Sequence, residues 1–308
     1  MGNTFIKNLI NDCKIECDKK RGYANSYLDN IFQNQMDEKH LRMFCRGEGK
    51  ELFPKEGEKE KAACVYSSSM LAYNFFSWID KEHPFCYAGI KYDKVFFEEQ
   101  FRVLKSRNNK ANLDVVLVSE DNNTILLLES KFTEHFKTGK IDIKDAYFEQ
   151  GNYFCNGENW MRVFRDLQKR MAASAASKDA YYEGLKQVAC HLIGISSAFL
   201  DDGARQWFND NSWMHRLENI ELKKENKTDF IFKSIVFHPK AKEEGTASQN
   251  YEELNKEFVE RIKFLPENLK ISDPIITYRQ IWNDGMRESI KDSKLRDYLT
   301  ERYLAFHE

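Results

Sequence analysis

Two runs of apolar residues separated by a polar stretch dominate the hydrophobic pattern in the first half of the chain. The first run covers residues 113–118 and the second covers residues 124–132, and both are rich in Val, Ile and Leu. The residues between them, Ser119 to Asn123, are of the types that favour turns. The pattern predicts a β-hairpin whose strands are buried on both faces, as expected for central strands covered by helices.

Apolar spacing predicts further elements on both sides of this hairpin. Residues 94–104 and 230–237 have the pattern of strands, whereas residues 158–175 and 182–199 have the pattern of helices. Ser67 to Ser69 offer N-cap candidates for an earlier helix. The chain therefore predicts an α/β fold in which a helix precedes three strands, and helices and a further strand follow them.

The distribution of polar residues predicts three segments. Residues 1–61 form an N-terminal helical segment that packs on the core, residues 62–240 form the core, and residues 241–308 form a mainly helical C-terminal extension. The charged stretch Arg46 to Lys61, which contains glycine, marks the first boundary. With 308 residues, 42% of them hydrophobic, the chain can bury one large core or a core with a smaller module.

Composition narrows the class of protein. No stretch approaches the length of apolar sequence that a membrane helix needs, and the N-terminus lacks the core of a signal peptide, so we expect a soluble, cytoplasmic protein. Seven cysteines without Cys-x-x-Cys units predict reduced thiols. The formal net charge of -2 gives no overall attraction to nucleic acid.

Basic residues nevertheless cluster near the hairpin and on the helix that follows it. Such clusters either hold phosphates or form solvated faces. The clusters are Arg102, Lys105, Arg107 and Lys110; Lys137, Lys140 and Lys144; and Arg162, Arg165, Lys169 and Arg170.

Charged residues stand at the ends of the two hairpin strands. Because side chains alternate along a strand, Glu129 and Lys131 point to one face, and Asp114 on that face would add a second carboxylate. Two close carboxylates repel each other unless a cation lies between them, and oxygen ligands select a hard ion such as Mg²⁺. A lysine beside that ion can orient water and stabilise charge on phosphorus, which indicates phosphodiester hydrolysis. The alternative is that Glu129 and Lys131 form a simple surface ion pair.

Asp114 followed by Glu129-Ser130-Lys131 resembles the Asp…(Asp/Glu)-x-Lys signature of the PD-(D/E)XK nuclease superfamily. The proline of that signature is absent, since Leu113 precedes Asp114. The flanking residues resemble those of bacterial restriction endonucleases. The resemblance is strongest over roughly residues 64 to 240. It implies a restriction-endonuclease-like αβββαβ core with a mixed central sheet, flanked by helices and extended by helical additions at both ends.

The resemblance also implies an activity, which is metal-dependent endonucleolytic cleavage of DNA. Asp114, Glu129 and the backbone carbonyl of Ser130 would bind Mg²⁺, for which Mn²⁺ can substitute, and Lys131 would position the attacking water. Members of the superfamily often add an upstream glutamate. Strand alternation allows either Glu98 or Glu99 to face the site, and we favour Glu99.

The implied partner is double-stranded DNA and not a membrane, with a role in bacterial defence. A homodimer and a cognate methyltransferase are compatible with this assignment. Two alternatives stay open: a catalytically inert nucleic-acid-binding protein on the same fold, and an RNA-processing nuclease.

Further residues are candidates for contacts with metal or substrate, although each could equally be structural. Aromatic residues between positions 147 and 154 either stack on bases or close over the core, and the core is favoured. The remaining candidates are Glu134 and His135 after the hairpin, and Gln187 and His191 at i and i+4 of the later helix.

Overall fold

The computed structural model describes residues 2–46, 51–54, 56–106, 110–134, 142–173, 182–200, 228–237, 246–271 and 274–305. Over these residues the chain has a mixed α/β fold, in which a mixed sheet is flanked by helices. This agrees with the fold class that the sequence predicts.

The sheet has seven strands, in the spatial order β1-β2-β3-β4-β5-β6, with β7 also beside β5. Strands β1 to β4 pair with one another in antiparallel orientation, whereas β5 is parallel to β4, β6 and β7. The parallel pair β4 and β5 requires a long crossover connection, which contains helices of the second half of the chain. The strands are β1 (Phe85–Tyr87), β2 (Ile90–Arg102), β3 (Lys110–Ser119), β4 (Thr124–Lys131), β5 (Asp229–Val236), β6 (Leu269–Lys270) and β7 (Ile275–Thr277).

Helices precede, interrupt and follow the strands. The helix that begins after Ser67 is capped as predicted, because the Ser67 hydroxyl accepts a hydrogen bond from the Met70 N–H at 3.3 Å. None of the helices in the described part of the chain is long and apolar enough to cross a membrane. The helices are α1 (Gly2–Asp12), α2 (Glu38–Arg46), α3 (Ser68–Phe76), α4 (Gly157–Ala173), α5 (Tyr182–Ile195), α6 (Thr246–Arg261), α7 (Tyr278–Ile281), α8 (Arg287–Ser289) and α9 (Ser293–Leu299).

The sheet separates two apolar clusters. Leu126 and Leu128 of β4 belong to the cluster that includes residues of α2, α3 and α9. Ile125 and Leu127 belong to the cluster that includes residues of α4, α5 and α6. All four leucine and isoleucine side chains are fully buried, which explains the continuous apolar run of this strand in the sequence.

The alternation of side chains is interrupted at one place in β2 and β3. Phe97 and Val115 pair with each other and lie in the first cluster, whereas Phe101 and Leu113 lie in the second. Between them, Glu98 has a φ of 53°, in the left-handed region. This conformation costs a residue other than glycine about 1–3 kcal/mol and is common at functional sites. It changes the direction in which the Glu98 side chain points.

The three predicted segments share one hydrophobic core. Leu9 and Phe44 of the N-terminal segment and Tyr278 and Met286 of the C-terminal segment all belong to the first cluster. The C-terminal segment also supplies β6 and β7 to the sheet. The segment that we predicted as a helical extension is therefore part of the sheet and of its core.

Helix α5 lies directly against β2 at Gly194. A Cβ atom at this position would lie 2.4 Å from Cβ of Phe101, so only glycine allows this close approach. Gln187 and His191 lie seven and three residues earlier on the same helical face. The contact therefore helps to set the position of these two side chains against the sheet.

Candidate active site

A cavity of about 590 Å³ lies near the C-terminal end of β4. Glu98 from β2, Asp114 from β3, and Glu129 and Lys131 from β4 all line it. The structure therefore brings together the three charged residues of the predicted signature, and it adds one glutamate.

The strand register explains this convergence. Phe97 pairs with Val115, and Val115 pairs with Leu128. Glu98 and Glu129 directly follow Phe97 and Leu128, and Asp114 directly precedes Val115. Because neighbouring strands run in opposite directions, these three residues form a row across β2, β3 and β4. The row has three carboxyl groups, and Lys131 follows two positions later on β4, on the same strand face as Glu129.

Ser130 connects this row to two helices. Its backbone N–H donates a hydrogen bond to Oδ2 of Asp114 at 2.7 Å. Its hydroxyl donates to the carbonyl oxygen of Ser68 at 3.0 Å and lies 2.7 Å from the hydroxyl of Tyr278. The Ser130 side chain thus anchors the end of β4 to α3 and α7, while its backbone faces the carboxylates.

Glu129 has a neighbour at each carboxylate oxygen. Oε1 pairs with the ammonium of Lys131, and Oε2 lies 2.9 Å from Nε2 of His191. Burial by itself raises the pKa of Glu129, but the charges and hydrogen bonds of Lys131 and His191 outweigh it and lower the pKa to about 2. Glu129 is therefore ionised at neutral pH.

The other two carboxyl groups behave in the opposite way. Burial raises the pKa of Glu98 to about 8, and the charges of Glu51 and Glu129 add to this effect. Burial, followed by the charges of Glu129 and Glu98, also raises the pKa of Asp114 well above its usual range. Ionisation of Glu98 and Asp114 is therefore unfavourable, because each adds a negative charge beside Glu129. A cation between the carboxylates would relieve this repulsion.

The described residues fit a divalent cation by their chemistry rather than by a preformed geometry. No three His, Cys, Asp or Glu side chains within this part of the chain surround one point as metal ligands do. The donor set is nevertheless that of a hard ion, since Glu98, Asp114 and Glu129 offer carboxylate oxygens to one cavity. The amide oxygen of Gln187 in the same cavity is buried and has no hydrogen-bond partner among the described residues.

Of the two upstream glutamates, Glu98 lines this cavity, whereas the prediction favoured Glu99. Glu99 lines a different cavity of about 640 Å³, together with Arg42 and Lys94. That prediction was based on regular alternation along β2, and the left-handed backbone of Glu98 breaks this regularity. The sequence did show that only one of the two glutamates can face the site.

Two residues of α5 also reach this region, as their i and i+4 spacing allowed. Gln187 lines the cavity and His191 contacts Glu129. Glu134 lines the cavity as well, and its carboxylate accepts hydrogen bonds from the backbone N–H groups of Phe132 and Thr133. His135 lies outside the described residues.

One part of the cavity lining could not be predicted from the sequence. Tyr23, Glu51, Lys61 and Tyr66 of the N-terminal region line the cavity, together with the serines at the start of α3. No motif marks these residues. They reach the site through long-range pairing, such as the bridge between Tyr23 and Cys64.

The basic clusters are partly engaged within the protein. Arg162 and Arg170 of α4 form ion pairs with acidic neighbours, and Arg102 donates hydrogen bonds to two backbone carbonyl oxygens. These arginines therefore have partners within the protein. The cluster members outside the described residues are Arg107, Lys137 and Lys140.

The aromatic stretch that follows the site closes over the core, which was the favoured interpretation. Tyr147 and Tyr153 are 6% and 3% exposed and belong to the second apolar cluster. The Tyr153 hydroxyl donates a hydrogen bond to the carbonyl oxygen of Tyr147 at 2.6 Å. These two tyrosines are therefore structural.

No family model, no curated protein and no solved structure matches this chain. The chemistry of the cavity residues is therefore the basis for a proposal about its function.

We predict that the metal-free protein loses stability between about pH 7 and about pH 8.5. The Glu98 carboxyl has a pKa of about 8 in the folded protein against an ordinary value of 4.5. The folded protein therefore holds a proton that the unfolded chain has lost, and this stabilisation disappears as the pH rises through the folded pKa. One pKa unit corresponds to about 1.4 kcal/mol, so the free energy of unfolding should fall by about 1 kcal/mol over this window.

Denaturant unfolding in the presence of EDTA measures this change. Glu98→Gln, which cannot ionise, should show a flatter dependence than the wild type, whereas Glu99→Gln should retain the wild-type slope. Burial lowers the pKa of His40 to about 4, so that group titrates below the window. Equal slopes for wild type and Glu98→Gln would contradict the prediction.

Proposed function

We propose that this protein is a metal-dependent nuclease of the PD-(D/E)XK type that hydrolyses DNA phosphodiester bonds. The observation that carries this proposal is the convergence of Glu98, Asp114, Glu129 and Lys131, from three neighbouring strands, on one cavity. The order of elements, with α3 before β2 to β4, then α4 and α5, then the parallel strand β5, is compatible with a restriction-endonuclease-like core.

Each charged residue has a role in this proposal. Asp114 and Glu129, with the backbone carbonyl of Ser130, would hold Mg²⁺ or Mn²⁺, and Glu98 takes the place that we had given to Glu99. A bound divalent cation supplies Lewis-acid polarisation of a phosphoryl oxygen and lowers the pKa of water. The raised pKa values of Glu98 and Asp114 mean that both carboxyl groups release protons when a cation binds.

Lys131 would position the attacking water and stabilise the negative charge that develops on the phosphate. Its side chain is 5% exposed and pairs with Glu129, so its ammonium is held within the cavity. His191 lies against the other oxygen of Glu129. Glu129 is therefore fixed from both sides before any substrate arrives, which is the kind of preorganisation that catalysis needs.

The resemblance to restriction endonucleases extends this proposal to the biological role. The resemblance implies defence against foreign DNA and is compatible with a homodimer and a cognate methyltransferase. An RNA-processing nuclease would use the same residues on another substrate. An inert binding protein would be expected to lose at least one of these charges, and Asp114, Glu129 and Lys131 are all present.

Cleavage assays on labelled DNA test the proposal. We expect cleavage in Mg²⁺ or Mn²⁺ and none in EDTA, because the cavity carboxylates need a cation before they can hold a phosphate. Calorimetric titration of the same protein with each metal measures the binding step separately. Absence of cleavage of both DNA and RNA would remove the nuclease assignment, and cleavage of RNA alone would favour the RNA-processing alternative.

A further inference from the structure

The charged groups of the site lie deep within the protein. Glu98, Glu129 and Lys131 are only 6%, 4% and 4% exposed. A phosphate can react there only when it enters the cavity and comes within contact distance of these groups. The space around that phosphate therefore decides which nucleic acids can be substrates.

That space is small. The cavity volume of about 590 Å³ is in the range of roughly 300–1,000 Å³ that holds small molecules. It can hold a nucleotide of one strand. In a double helix, the paired strand and the neighbouring phosphates accompany every phosphate, and together they exceed the volume that the described residues enclose here.

The N-terminal side of the cavity is built into the fold. Tyr23 and Cys64 form an antiparallel bridge. Asn30, which is 1% exposed, donates hydrogen bonds from Nδ2 to the carbonyl oxygens of Ala62 and Cys64 at 2.6 and 2.7 Å. The N–H of Ala62 in turn donates to the carbonyl oxygen of Glu51 at 3.0 Å. Because Tyr23 and Glu51 belong to a hydrogen-bonded substructure, this side does not open without breaking buried hydrogen bonds.

The same side offers groups that suit unpaired bases. Tyr23 and Tyr66 line the cavity and are both only half-buried. Aromatic rings stack on the faces of unpaired bases, which a double helix keeps covered. The ammonium of Lys59 lies over one face of the Tyr23 ring, 5.2 Å from its centre, so a positive charge that can attract phosphates is held at this tyrosine.

We infer that the cavity accepts a single unpaired polynucleotide strand and excludes an intact double helix. This inference rests on the proposed nuclease function and names its substrate class. It departs from the double-stranded DNA that the sequence resemblance implies. The ring of Tyr66 contributes to binding by stacking on a base. The buried carboxylates act only on a phosphate of a strand that is not base-paired.

Oligonucleotides of one sequence test this inference in four forms: single-stranded DNA, blunt duplex DNA, duplex DNA with a single-stranded gap, and single-stranded RNA. In Mg²⁺ we expect the initial rate on single-stranded DNA, and at the gap, to exceed the rate on the blunt duplex by at least about tenfold. Tyr66→Leu should weaken binding of the single strand by about tenfold, and Tyr66→Phe should restore it, because the ring is what stacks. Both variants lose the hydrogen bond from the Tyr66 hydroxyl to the Arg21 carbonyl oxygen, so the pair isolates the ring.

The outcomes separate this inference from the nuclease proposal. Equal rates on single strand and blunt duplex would overturn the inference and leave the nuclease function in place. Preferential cleavage of single-stranded RNA would support the inference with RNA as the source of the strand. If no form is cleaved, the nuclease proposal fails, and fluorescence anisotropy of the single strand and the duplex with wild-type protein in EDTA decides the inference. Equal or tighter binding of the duplex in that measurement would overturn it.

Discussion

Lys131→Ala is expected to abolish DNA cleavage in Mg²⁺ while the fold is retained. The Lys131 ammonium is the positively charged group that pairs with Glu129 within the cavity, and it would stabilise charge on the reacting phosphate. Loss of one such group lowers the rate by about 100-fold to 1,000-fold. Initial cleavage rates on single-stranded DNA, with circular dichroism to establish folding, measure the effect.

Two further variants make this result specific. Lys131→Met keeps most of the side-chain volume and should be equally inactive, which excludes loss of packing as the cause. Lys94→Ala removes a lysine of β2 that pairs with Asp93 at 2.7 Å, and Lys94 lines the other cavity, so cleavage should be unchanged. Undiminished cleavage by Lys131→Ala would remove Lys131 from the catalytic assignment.

Asp114→Asn is expected to abolish Mg²⁺ binding without lowering the stability of the metal-free protein. Asparagine retains an oxygen that can accept the Ser130 N–H, so the contact at the end of β4 can persist. It removes a carboxyl group whose pKa is raised by burial and by the charges of Glu129 and Glu98, so the metal-free cavity loses a group whose ionisation is unfavourable. Mutation of residues that only orient a metal ligand typically lowers metal affinity by about 10–100-fold. Loss of a direct ligand should therefore lower the affinity for Mg²⁺ by at least about 100-fold.

Calorimetric titration with Mg²⁺ and Mn²⁺ measures this loss, and thermal unfolding in EDTA measures stability. Glu99→Gln is the matched control, because it neutralises a buried carboxyl group of β2 outside the site. The control should bind metal as the wild type does. Wild-type metal affinity in Asp114→Asn would show that this carboxylate is not a ligand.

The central hairpin could be predicted because one physical rule governs it. Apolar residues on both faces define strands covered by helices, and the turn between Ser119 and Asn123 fixes which residues pair. Once Val115 pairs with Leu128, Asp114 and Glu129 must meet. The convergence of the signature residues was therefore contained in the sequence.

Other features depend on contacts that a local pattern does not contain. The choice between Glu98 and Glu99 depends on a left-handed residue inside a strand, a conformation that the surrounding structure imposes. Strands β6 and β7 have two and three residues, which is too short for a period of two to be recognised. Tyr23 and Tyr66 reach the cavity through pairing across the N-terminal region, and no spacing rule predicts such pairing.

The contact between the hydroxyls of Ser130 and Tyr278 links the site to a residue far along the chain. During synthesis, the ribosome completes the hairpin well before it adds Tyr278. The Glu-Ser-Lys tripeptide is therefore synthesised early, but its contact with α7 can form only after Tyr278 has been added. A partly synthesised chain carries every charged group of the site but lacks this contact, so the proposed nuclease site would be completed only towards the end of translation.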